Sequence, residues 1–229
     1  MKQNSLLWRV GVLICMVLLP GCMKYYDVSE KEFPQAQKEP DHREVRYAYK
    51  RTQRVYDQFE TKAIFDALWL SDDVRTAYVQ MYAKKRGLSA EAKEELLKRQ
   101  LEENKHWVAF YVLADIREQG AGRLGDAHTA WTMFASLDKH LVPVESIKEY
   151  DLEPEYQLLF GAVGMNFKTC YLVKCALQPE IANQIGCQQF KHLALTVNSP
   201  KHKAVLEWRP EQLKAHKNLL SDEDFYWGD

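Results

Sequence analysis

The chain has 229 residues, of which 46% are hydrophobic and 12% aromatic, and its formal net charge is −1 at pH 7. That apolar content favours a packed core over a disordered chain. The near balance of charge leaves no basic excess for nucleic acid and no acidic tract suited to storing metal.

At the amino terminus Lys2 and Arg9 mark a short basic region, and residues 10–19 form an apolar run broken only by Gly11. A run of about ten residues is too short to cross a bilayer, which takes roughly 20. Residues 1–21 therefore read as a signal peptide and are set aside from the fold. The segment Leu18-Leu19-Pro20-Gly21-Cys22 resembles the lipobox of bacterial lipoproteins, with an aliphatic residue three before the cysteine and a small one directly before it. Pro20 departs from the usual pattern, where a small or β-branched residue is commoner. The resemblance is confined to residues 1–22. It implies cleavage before Cys22, a diacylglycerol on its thiol and a third acyl chain on its freed amine. Stable anchoring takes more than one chain, at about 0.8 kcal/mol per buried methylene, and this set would supply it. Met23, in place of Asp, is similar to lipoproteins sent on to the outer membrane of double-membraned bacteria. The resemblance thus implies a lipid-anchored envelope protein facing the periplasm, with the membrane as one partner.

Without residues 1–21 the chain keeps 208 residues, and the loss of Lys2 and Arg9 takes the charge from −1 to −3. Residues 22–52 carry many charges, Pro34 and Pro40 and no sustained apolar period, so they read as a tether. As a flexible coil of about 30 residues it would span roughly 30 Å. Tyr47 and Tyr49 leave a strand or docking segment open as an alternative at its far end. The globular domain is expected over residues 53–210, with a tail over 211–229.

Within the domain, residues 61–70 are rich in β-branched and aromatic side chains on both alternating faces, as in a strand buried on both sides. Ser71 then offers a cap to orphan amides, and Asp72 and Asp73 suit the positive end of a helix dipole. Val74, Ala77, Tyr78, Met81 and Tyr82 follow at helical spacing. Lys84, Lys85 and Arg86 complement the negative end before Gly87 stops the helix, which explains the basic cluster without an anionic ligand. Ser89 caps a second helix whose Ala92, Leu96, Leu97 and Leu101 line one face. The hairpin's apolar stripe is expected to cover the sheet, or else to receive a partner.

Residues 107–116 alternate as a strand. The bend Gly120-Ala121-Gly122-Arg123-Leu124-Gly125 has GxGxxG spacing, but residues 128–137 read as a strand, whereas a dinucleotide site needs a helix there. Further strands are expected over residues 142–147, 155–165 and 167–177, with Gly161 and Gly164 marking a bulge or bend. The clearest hairpin alternates at Leu193, Leu195 and Val197, turns at residues 198–201, and alternates again at Ala204, Leu206 and Trp208.

The three cysteines after Cys22 are Cys170, Cys175 and Cys187. In an oxidising compartment thiols tend to pair, and Cys175 with Cys187 is the favoured disulfide. Adding His192 produces a superficial zinc pattern, C-x4-C-x11-C-x4-H. Residues five apart on a strand point to opposite faces, however, which disfavours a shared metal. No GxSxG, HExxH, GxxxxGK[ST] or CxxC motif occurs. Asp72 with Asp73, and Glu94 with Glu95, are adjacent on helices and diverge by about 100°.

These elements imply an α+β fold: an antiparallel β-sandwich or open barrel with an N-terminal helical hairpin. The order of elements also resembles envelope lipoproteins of Gram-negative bacteria. No catalytic residue, metal site or cofactor is expected. The reading is a non-enzymatic binding or assembly component of the envelope, with another envelope protein as partner and no nucleic acid. The alternatives are a carrier of lipid or another apolar ligand, its cavity lined by Trp69, Trp107, Trp131, Trp208 and Trp227, and an envelope hydrolase built from residues distant in sequence.

Overall fold

The computed structural model describes residues 43–118, 120–138, 140–161, 167–177, 190–211 and 213. Its ordered elements begin before the expected boundary at residue 53. A short helix, α1 (Arg43–Tyr49), runs directly into strand β1 (Lys50–Asp57), which pairs with β2 (Glu60–Trp69) as an antiparallel hairpin. The charged, proline-bearing composition that suggested a tether up to residue 52 therefore gives way earlier, where Ala48 and Tyr49 bury fully and Tyr49 packs edge-on against Trp69 at 5.6 Å.

The helical hairpin forms where its capping residues place it. Helix α2 (Asp72–Arg86) begins at Ser71, whose hydroxyl accepts the Val74 amide at 3.3 Å, and ends at Gly87 in the left-handed region. Helix α3 (Ala90–His106) begins at Ser89, whose hydroxyl accepts the Ala92 amide at 3.2 Å. Strand β3 (Trp107–Ile116) follows without a loop and pairs with β2 in an unbroken register, Phe65 opposite Ala114 and Trp69 opposite Phe110.

Three positive-φ glycines, Gly120, Gly122 and Gly125, carry the chain from β3 to β4 (Thr132–Leu137). Gly125 is required by space as well as by φ: a Cβ there would lie 2.9 Å from the Ile147 carbonyl oxygen. The strand expected over residues 128–137 thus starts only at Thr132. The one expected over residues 142–147 is in fact two, β5 (His140–Val142) and β6 (Val144–Glu149), separated by Pro143. Proline cannot donate to a ladder, and here it marks the residue at which the chain leaves one sheet and joins the other.

The strand expected over residues 155–165 is corrected by the structure. Pro154–Phe160 is helix α4, and residues 162–166 lie outside the described residues. Pro154 stands at the first helical turn, where a missing amide costs nothing. Tyr156, Leu159 and Phe160 are buried at helical spacing, while Gln157 and Leu158 face outward. The remaining strands are β7 (Thr169–Ala176), β8 (Leu193–Asn198) and β9 (Lys203–Trp208).

The result is an α+β fold with two antiparallel sheets, five strands in the order β1-β2-β3-β7-β6 and four in the order β5-β4-β8-β9. One face of the five-stranded sheet meets the other sheet. Phe65 packs edge-on against Trp131 at 5.3 Å, and Phe110 lies 5.2 Å from Trp208. Trp131 and Trp208 have no exposed surface, and burying an aromatic of this size contributes about 4–6 kcal/mol before the entropy of ordering is counted. The opposite face takes helices α2 and α4 through tyrosines. Tyr78 stacks on Tyr156 at 4.3 Å, Tyr156 meets Tyr111 of β3 edge-on at 4.8 Å, and the Tyr78 hydroxyl donates to Glu153.

Candidate functional site

Strands β1 and β9 are the outermost strands of their sheets, and they lie side by side. No backbone ladder joins them among the described residues. Two side chains pin one end of the seam instead. The Trp208 indole donates to the Tyr49 carbonyl at 2.7 Å, and the Arg51 guanidinium donates to the Glu207 carbonyl at 2.8 Å. Beyond that pin the edges leave a groove of about 390 Å³, lined by Arg51, Thr52, Gln53, Val205, Leu206, Glu207 and Arg209.

The pattern of β9 explains why the groove is polar. Ala204, Leu206 and Trp208 turn inward and are buried, so Val205 and Glu207 face outward at half exposure. On β1, Thr52, Gln53 and Arg54 are exposed. Glu207 accepts from Arg209 at 3.0 Å and pairs with His192 at 3.3 Å. Burial pushes its carboxyl up, but the bonds from Arg209 and His192 outweigh that and hold it below the usual carboxylate range. Burial also lowers the Arg51 guanidinium, which remains charged at neutral pH because its starting point lies so high. The groove thus presents two guanidiniums, one carboxylate and the edges of two strands that share no ladder with each other among the described residues. Such an edge is a template for a further strand.

The residues singled out by sequence fall elsewhere. Cys22 and Cys187 lie outside the described residues. Among the described residues Cys175, with no exposed surface, and Cys170, buried opposite Leu113, are free thiols, and the expected pairing of Cys175 with Cys187 falls on a residue outside them. Burial pushes both thiols up to about 12. The two lie five positions apart on β7, hence on opposite faces. Among the described residues no group of three His, Cys, Asp or Glu side chains converges as a metal would require. Trp69, Trp131 and Trp208 sit in the core in contact with other rings, Trp107 is half-buried, and Trp227 lies outside the described residues.

The hairpin differs from the sequence expectation in how it is held. No residue of α3 is fully buried, and only Leu96 and Leu97 of its stripe pack against the core. A buried cation joins the helices instead. Arg75 of α2 donates to Gln100 and Asn104 at 2.6 Å each and pairs with Glu103 at 3.1 Å, while Asn104 donates to Asp72 at 2.7 Å. The sequence signal was present in Arg75, which interrupts the apolar face beside Val74, but its acceptors lie a whole helix away. Among the described residues no helix is long and apolar enough to cross a membrane. No protein-family model and no curated protein sequence matches the chain.

Proposed function

We propose that the protein is a lipid-anchored component of the bacterial cell envelope, held through Cys22 at the outer membrane and facing the periplasm. Its domain is a non-enzymatic binding module that takes an extended segment of another envelope protein along the β1–β9 seam. The observation that supports this most is the pair of strand edges, with no ladder between them among the described residues, flanking an open polar groove. A strand laid into such a groove would gain affinity from main-chain hydrogen bonds and specificity from alternate side chains. Arg51 and Arg209 favour a partner strand with acidic side chains at the positions facing them. The carrier reading has weaker support, because Trp69, Trp131 and Trp208 are engaged with neighbouring rings in the core.

The test is site-specific photocrosslinking in the native host. A photoreactive residue replaces Gln53, Val205 or, as a control on the outer face of α3, Lys93. The expected result is one envelope protein captured from positions 53 and 205, absent from position 93 and lost with Cys22→Ala. Equal capture from all three positions, or none from the seam, would remove the seam as the binding site.

A further inference from the structure

A second surface lies around α1, the end of α4 and the start of β7. Its centre is Asp66, which is buried on β2 and accepts from the Thr52 hydroxyl and the Lys168 ammonium. The Lys50 ammonium stands 3.9 Å from the same carboxylate and donates to the Phe160 carbonyl at 2.8 Å. Arg46 closes the cluster: a Cβ placed on Gly161, the residue after Phe160, would lie 3.0 Å from its Nη1. The Arg46 guanidinium also sits 4.9 Å from the Tyr47 ring centre and donates to the Tyr47 hydroxyl at 3.3 Å.

Two cations, Lys50 and Lys168, thus meet one buried carboxylate, and a third, Arg46, stands beside Lys50 and Gly161. Glu44, half-buried, is the acidic side chain of α1, and counting it with Asp66 against Arg46, Lys50 and Lys168 still leaves the cluster positive. Burial lowers the Lys50 ammonium, Asp66 pulls it back up, and the neighbouring Lys168 and Arg46 oppose that pull to a smaller extent. A structural ion pair does not need the additional cations.

The same region exposes large apolar side chains. Tyr47, Leu158 and Phe167 lie beside Arg46, on α4 and beside Lys168, respectively, and Phe167 is 99% exposed. Phe167 also has a φ of 76°, an uncommon and unfavourable conformation for a bulky residue. Full exposure returns none of the gain an aromatic makes by leaving water. An apolar phase against this face would supply that gain, and anionic headgroups would satisfy the excess charge.

We propose that this face docks on an anionic lipid surface, with headgroup phosphates meeting Arg46, Lys50 and Lys168 while Tyr47, Leu158 and Phe167 enter the interface. The proposal rests on the lipid-anchored reading above. Cys22 precedes Arg43 by 21 residues, which even fully extended reach at most about 75 Å, so a lipid on Cys22 keeps α1 close to the bilayer. Strand β1 then leaves this face, and its eight residues carry the β1–β2 turn about 25 Å from it. Phe59, fully exposed at that turn, is the built-in control.

The test uses the full-length protein isolated from membranes and reconstituted into vesicles of phosphatidylethanolamine with or without phosphatidylglycerol. A fluorophore sits on Phe167→Cys or Phe59→Cys in a Cys187→Ser background, Cys170 and Cys175 being buried. The expected result is quenching by spin-labelled lipid at position 167 but not 59. It should strengthen with phosphatidylglycerol, weaken with salt, and show about fivefold weaker docking in Arg46→Gln. Equal quenching at the two positions, or none at 167 with phosphatidylglycerol present, would overturn the docking face. The intact mass of the isolated chain reports Cys22 acylation separately. An acylated chain without quenching overturns only the docking, and an unmodified Cys22 overturns the anchor.

Discussion

Cys170 and Cys175 show how position overrides composition at the scale of a residue. A thiol reacts as thiolate, and burial pushes these two up to about 12, so both stay protonated at neutral pH. Alkylation of the native protein, resolved site by site by mass spectrometry, should leave both unmodified until denaturant is added. Rapid labelling of Cys175 under native conditions would contradict its placement between the sheets. Among the described residues, Trp131 Nε1 and Glu155 Oε2 are buried and meet no hydrogen-bond partner. Neither was legible in the sequence, because satisfaction of a polar atom depends on neighbours from other strands and helices.

Among the elements, the hairpin of α2 and α3 separates what is local from what is not. Ser71, Gly87 and Ser89 set its helix ends through contacts within one turn, so the sequence alone places them. What joins the helices is Arg75, whose guanidinium is almost wholly buried against Gln100, Glu103 and Asn104. Charge-assisted hydrogen bonds contribute about 1.5–3 kcal/mol each when buried. With two such bonds, Arg75→Ala should therefore cost about 3–6 kcal/mol, or roughly 9–18 °C in Tm for a domain of this size. Glu103, nearly half exposed, is worth about 1 kcal/mol or less as an ion-pair partner, so Glu103→Ala should lower Tm far less. Equal losses in the two melting curves would show that Arg75 acts only as bulk.

Across the whole molecule, tyrosines hold the helical layer to the five-stranded sheet, and that makes stability sensitive to alkali. Tyr78, Tyr111 and Tyr156 all have hydroxyls raised above the ordinary tyrosine value, chiefly by burial, with nearby Glu153 adding to it. Below about pH 10 both folded and unfolded chains keep these protons and stability is unaffected. As pH rises further the unfolded chain releases protons that the folded chain retains. Each such group then removes about 1.4 kcal/mol per pH unit. Tyrosinate absorbance should rise in two phases, exposed tyrosines first and the buried ones together with loss of near-ultraviolet circular dichroism. A single smooth titration near pH 10 with the fold intact would refute the tyrosine layer.

The sequence by itself determined the α+β class, the hairpin caps, the β2 and β3 strands and the β8–β9 turn, because each depends on side-chain period or on contacts a few residues apart. Only the tertiary structure decided that residues 154–160 are helix, that Pro143 is the corner between sheets, and that β1 and β9 meet at an open seam. Short apolar runs satisfy either period, and which one wins depends on the partner surface. The seam itself joins residues 156 and 159 apart in sequence, where loop closure is set by the packing of both sheets and leaves no local signal.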